Sequence, residues 1–127
     1  MELTITLYGN PNNPQVEIGK NVSKANDIYV KSPLMAFLVS IPHCIYLITN
    51  EINERKGKEL EFKVIARYQL DNLAIFTGNY VFEKIIIEIC GKDCKEDYME
   101  DLLEIVKNSC PIYLSLKDKV ELKYKIY

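Results

Sequence analysis

The side chains best suited to chemistry in this 127-residue chain are four cysteines and a single histidine: Cys44, Cys90, Cys94, Cys110 and His43. A cysteine can fill a core as a small hydrophobe, or as a thiolate it can bind a metal or attack an electrophile. Two readings stand for Cys44. It lies in an apolar stretch, where burial raises a thiol's pKa and makes it inert. Pro42, however, sits two residues before it. A proline inside a helix deletes the backbone bond to the carbonyl four residues back, here that of Leu38. A helix broken at that point would restart near Ile41 with Cys44 in its first turn. Free N–H groups and the helix dipole there favour a thiolate. His43 is a poor partner for it, because adjacent residues on a helix point about 100° apart. A structural or exposed histidine is expected. With no second histidine, a Cys–His protease arrangement has no base.

Cys90-Gly91-Lys92-Asp93-Cys94 has a spacing that zinc sites use, but a closed site needs four ligands. The other candidates, Cys44, Cys110 and His43, are scattered, so no metal site is expected. A local disulfide or two unrelated thiols at a strand-to-helix turn are the readings left. Cys110 precedes Pro111 where a helix is expected to end. The negative end of the dipole disfavours a thiolate there, which makes Cys110 a weak attacker. It remains suited to closing a disulfide on a sulfenic acid. The five glycines are not clustered, so no phosphate-cradling loop and no bound cofactor are expected.

The elements that position these residues are read from periodicity. Leu3, Ile5 and Leu7 alternate with threonines as a half-buried strand, and Asn10 to Pro14 forms a turn. Val16 to Ile18 is a return strand, Gly19 to Asp27 a loop, and Ile28 to Val30 another short strand. Ser32-Pro33 starts a helix, with Ser as cap and Pro at the first position, and Gly57 stops it after Arg55 and Lys56. On that helix Leu34, Phe37, Ile41, Cys44, Ile48 and Ile52 form one stripe, and its first half is apolar almost all round. Such a helix belongs inside the protein or between subunits. Residues 60–70 and 81–90 read as strands, the second buried on both faces at Ile85, Ile86 and Ile87. Asp93 resembles an N-cap with Glu96 completing a capping box. A helix over 95–109 carries Tyr98, Leu102 and Ile105 on one face until Pro111 stops it. Val120, Leu122, Tyr124 and Ile126 alternate with charged residues as a final strand. The order, with no regular βαβ alternation, predicts an α+β fold in a single domain over 1–127.

Composition narrows the function. Net charge is −2 and no basic stripe exists, so no nucleic-acid partner is expected. The apolar run Leu34 to Ile48 contains Ser40, Pro42 and His43 and is short for a membrane span, so no membrane is expected either. The first residues lack a charged segment followed by an apolar one, which predicts a cytoplasmic protein without a signal peptide.

Ser32-Pro33-Leu34, Ile41-Pro42-His43-Cys44 and Ser109-Cys110-Pro111-Ile112-Tyr113-Leu114-Ser115-Leu116, in that order before a terminal strand, resemble the OsmC/Ohr family of osmotically inducible and organic hydroperoxide resistance proteins. The resemblance covers roughly residues 28–127. It implies antiparallel sheets packed around a long central helix and a shorter C-terminal helix, in an intertwined homodimer. It also implies a thiol peroxidase in which Cys44 attacks the peroxide and Cys110 resolves the sulfenic acid. A dithiol reductant would reopen the disulfide, and organic hydroperoxides would be the substrates. Two positions depart from the family pattern: Leu34 stands where a glutamate is usual, and no arginine precedes Arg55. Lys20 and Lys24 are then the available charges, and with Phe37 they are the candidate substrate-binding residues. The alternative is a catalytically degenerate OsmC-like dimer that binds an apolar small molecule.

Overall fold

The computed structural model describes residues 2–70 and 82–127. Six strands and four helices cover them: β1 (Glu2–Tyr8), β2 (Gln15–Ile18), β3 (Asn21–Lys24), α1 (Ala25–Lys31), α2 (Pro33–Arg55), β4 (Phe62–Leu70), β5 (Phe82–Gly91), α3 (Glu96–Ser109), α4 (Pro111–Leu116) and β6 (Val120–Ile126). Val81, expected to open the second long strand, lies outside the described residues. The strands form one sheet in the order β3-β2-β1-β4-β5-β6. Neighbours are antiparallel except β5 and β6, which run parallel because α3 and α4 carry the chain back to the same end. The α+β class expected from the element order is what the chain adopts.

Alternation on each strand gives the sheet one apolar face. The register aligns Ile5, Ala66, Ile87 and Leu122 in one row across four strands, and Leu7, Val64, Ile89 and Tyr124 in the next. α2 and α3 cover these rows, and a fully buried isoleucine contributes roughly 1.5–3 kcal/mol. Ile86, expected to be buried with its neighbours, points to the other face and is only half-buried. α3 buries Met99, Leu102 and Val106, leaving Tyr98 and Ile105 at the flanks.

Three expectations are corrected. Residues 28–30 are helix, not strand, and the expected loop 19–27 holds β3 and the start of α1. Contacts from the turn before β2 override the β preference of Ile28-Tyr29-Val30: the Asn13 side chain accepts the Asn26 N–H at 3.0 Å, and the Ala25 N–H bonds Pro14 O at 3.0 Å. Asp27 in the first turn and Lys31 in the last suit the dipole. Asp93 is not an N-cap. It takes the left-handed conformation at φ 53° in the turn, and Lys95 occupies the cap without a side-chain bond. Pro111 does end α3, but it also opens α4 at once.

α2 begins and ends as its sequence indicates. The Ser32 hydroxyl accepts the Met35 N–H at 3.3 Å, and Gly57, at φ 67°, closes the other end. By length and composition α2 could cross a membrane, but much of it is buried inside this fold. Its core face is Leu38, Ile41, Ile45, Thr49 and Ile52. The stripe through Leu34, Phe37, Cys44 and Ile48 therefore lies to one side of the core face, with Leu34 and Phe37 exposed.

Candidate functional site

Pro42 does not break α2, which runs continuously from Pro33 to Arg55. The Leu38 carbonyl that loses its helical partner accepts a hydrogen bond from the buried Tyr68 hydroxyl of β4. That bond satisfies a group whose burial unpaired would cost about 1–3 kcal/mol. Cys44 thus sits in mid-helix without the free N–H groups of a new first turn, and the expected thiolate-favouring position is not there.

The structure brings the two candidate cysteines together. Cys44 Sγ lies 3.7 Å from Cys110 Sγ. Both are free thiols; Cys44 is half-buried and Cys110 has no exposed surface. Cys110 is the last residue before α4 as well as the residue after α3, and its sulfur accepts the Tyr113 N–H at 3.5 Å. The expectation drawn from the end of α3 alone is therefore reversed. The hydrogen bond from Cys44 lowers the Cys110 pKa from 9.0 to about 6, against burial and with help from the Tyr113 and Ile112 amides. The same contact pushes the Cys44 thiol up, and burial and the Cys110 charge add to this. Of the two sulfurs, Cys110 is the one whose thiolate the contact favours.

Cys44 opens onto a cleft of about 560 Å³ that Phe37, Leu47 and Ile112 also line. Its other polar members are Tyr29, Ser40 and His43. His43 is structural, as expected, and nearly buried. Its Nε2 lies 2.8 Å from Pro11 O, so Nε2 carries a proton and donates. In the neutral ring Nδ1 then accepts from the Tyr29 hydroxyl at 2.5 Å. Burial pushes Tyr29 up to about 12, which keeps that hydroxyl protonated. Ser40 donates to Phe37 O at 2.8 Å.

Of the three candidate substrate-binding residues, Phe37 lines this cleft. Lys20 lies in the β2–β3 turn and Lys24 at the end of β3, both exposed and neither on the cleft wall. Arg55 pairs with Glu51 at 4.0 Å and Arg67 with Glu88 at 3.7 Å. Among the described residues no Lys or Arg lines the cleft, and no three His, Cys, Asp or Glu side chains gather as a metal would need. Cys90 and Cys94 are buried free thiols; Cys94 packs over Gly91 beside Met99. Tyr29, Tyr68 and Ile112 were not legible as site residues. Pro42 signalled that Leu38 O needs another donor, but only the fold supplies Tyr68.

No family model matches the sequence, and no curated protein sequence matches it either. Solved structures do. The organic hydroperoxide resistance protein OhrB of Bacillus subtilis superposes with a TM-score of 0.56 at 13% identity, over 98% of this chain and 97% of that one. An organic hydroperoxide resistance protein of Elizabethkingia anophelis gives 0.57 at 18% identity, over 96% and 94%. An OsmC-like protein of Mycoplasma pneumoniae gives 0.51 at 12% identity, over 98% and 94%. From end to end, this chain has the OsmC/Ohr-like fold.

Proposed function

We propose that the protein is a thiol-dependent reductase of organic hydroperoxides, with Cys44 attacking and Cys110 resolving. The observation that carries this reading is the 3.7 Å separation of the two sulfurs across 66 residues of sequence. It supports closure to the ~2.05 Å of a disulfide by side-chain rotation and a small shift of α4. Cys44 faces the cleft and Cys110 lies behind it, so a peroxide entering between Phe37 and Ile112 meets Cys44 first. The Cys44 sulfur gives an electron pair to the terminal peroxide oxygen, the O–O bond breaks, and an alkoxide leaves. Cys110 then displaces the hydroxyl of the sulfenic acid as water and forms the disulfide. Two electrons from a dithiol reductant of the cytoplasm restore both thiols. The apolar walls suit an alkyl or aryl hydroperoxide better than hydrogen peroxide.

A second copy of the chain completes this reading. Leu34 is 60% exposed and Phe37 52% on the outer side of α2, with Val30 84% exposed beyond them. A partner laid along α2 would cover these side chains and roof the cleft. Any cation for the cleft, the role first given to Lys20 and Lys24, would then come across that interface.

The test is steady-state consumption of cumene hydroperoxide with a dithiol reductant. Wild type turns over, Cys44→Ser falls to the reductant's background, and Cys110→Ser stalls as a sulfenic acid that dimedone traps. Turnover no faster than that of a free small thiol would contradict the reading. A second reading, capture of an apolar small molecule without chemistry, is favoured by the absence of Lys and Arg on the described cleft wall. It predicts saturable binding of cumyl alcohol with both thiols intact after peroxide treatment.

A further inference from the structure

Attack by Cys44 requires that its proton go somewhere, and most neighbours are already committed. Ser40 donates to Phe37 O, and His43 has both nitrogens engaged by Pro11 O and Tyr29. Neither lysine nor arginine lines the described cleft. Among the described residues, that leaves the Cys110 sulfur. It is in contact with Cys44 Sγ, shielded from water, and held by the Tyr113 N–H.

We propose that Cys110 is the base of the pair: its thiolate accepts the Cys44 S–H hydrogen bond and takes that proton as Cys44 attacks. The base role rests on the hydroperoxide reading for its substrate, whereas the shared proton does not.

The step balances. Cys44–SH, Cys110–S⁻ and ROOH give Cys44–SOH, Cys110–SH and RO⁻, the last taking a proton from water at the cleft mouth. The sulfur of Cys44 is oxidised by two electrons and the O–O bond is reduced. In resolution the S–S bond forms, the sulfenic hydroxyl leaves, and it carries off the proton that Cys110 had taken.

The surrounding amides act on both sulfurs: Ile112 favours a thiolate at Cys44, while Tyr113 and Ile112 favour one at Cys110. Glu51 on α2 opposes a thiolate at Cys44. Tyr29 of α1 and His43 face the cleft, bonded to each other and, through His43 Nε2, to Pro11 O. α4 bears no charged residue, and Lys107 in the last turn of α3 lines a different cleft. The site therefore does by thiol–thiol proton sharing what a guanidinium would otherwise do.

The first test uses the unaltered, reduced protein: absorbance near 240 nm, which reports thiolate, is followed against pH. The proposal expects one thiolate to develop around pH 6. Thiolate appearing only at the ordinary value of 9.0 overturns it. The second test follows iodoacetamide labelling of the Cys44 peptide by mass spectrometry in wild type, Cys110→Ala and Cys110→Ser. Wild-type Cys44 is expected to label with a rate that rises with the pair's titration near pH 6, and both variants are expected to lose that rise and to follow a lone thiol instead. Serine preserves size and a hydrogen-bond acceptor but does not ionise in this range. A serine variant that labels as wild type does would reduce Cys110 to a structural neighbour and overturn the proposal. Early thiolate with no reaction toward cumene hydroperoxide would sink the peroxide-reductase reading, and the base role with it, while the shared proton stands.

Discussion

Pro42 and the two thiols carry the account at the scale of single residues. The proline deletes one backbone donor inside α2, and the Tyr68 hydroxyl replaces it at Leu38 O. Tyr68→Phe should therefore destabilise the protein by about 1–3 kcal/mol, because it leaves a buried carbonyl unpaired. In a Pro42→Ala background the new Ala N–H can serve Leu38, so the same Tyr68→Phe change should cost less than half as much. Urea unfolding of the four proteins in this cycle measures it, and equal costs in both backgrounds would reject the assignment. The thiol pair predicts a pH dependence. Cys110 is lowered from 9.0 to about 6, so the unfolded chain binds more protons between those values and stability rises with pH through that window. The contribution is lost as pH falls through about 6. Above about 9 the raised Cys44 acts in the opposite sense, since only the unfolded chain can then give up that second proton. The urea midpoint of reduced wild type, relative to Cys110→Ser, should thus increase between about pH 5 and about pH 8. A constant difference would contradict the charge placement.

Elements differ in how much of themselves their sequence reveals. The long helix α2 was legible at both ends because its signals are local: Ser32 with Pro33 at the start, Gly57 at the stop. α1 was hidden because what makes it helical comes from the turn before β2, through Asn13 and Pro14, and not from Ile28-Tyr29-Val30. Tyr29 was lost to the site for the same reason. Cys110 was read from α3 alone, and its sulfur's bond to Tyr113 appears only once α4 is known to follow without a gap. The junction of β5 and α3 is another contact that sequence spacing does not disclose. A Cβ at Gly91 would stand 2.7 Å from both Cys94 Sγ and Met99 Sδ. Gly91→Ala should accordingly cost about 1–3 kcal/mol by overpacking, measured by thermal or urea unfolding, and an unchanged midpoint would show that the two sulfurs can move aside.

For the molecule as a whole, the α+β class was readable from the order of elements, and the OsmC/Ohr-like fold from the family resemblance of the segments around Cys44 and Cys110. The cleft's chemistry was not, because it depends on which side chains meet across α1, α2 and α4. The exposed Leu34 and Phe37 predict an assembly: sedimentation should show a dimer for wild type and a monomer for Leu34→Glu/Phe37→Glu. A wild-type monomer at micromolar concentration would remove the second copy from the scheme. The central claim is that Cys44 and Cys110 form one reactive unit, set apart from Cys90 and Cys94. It is tested most directly by adding one equivalent of cumene hydroperoxide to the reduced protein, counting free thiols over time, and mapping any disulfide by peptide mass. The account predicts loss of two thiols, faster than any free thiol reacts, with a Cys44–Cys110 bridge and with Cys90 and Cys94 intact. Thiol loss at the rate of a free cysteine, or a bridge involving Cys90 or Cys94, would contradict it.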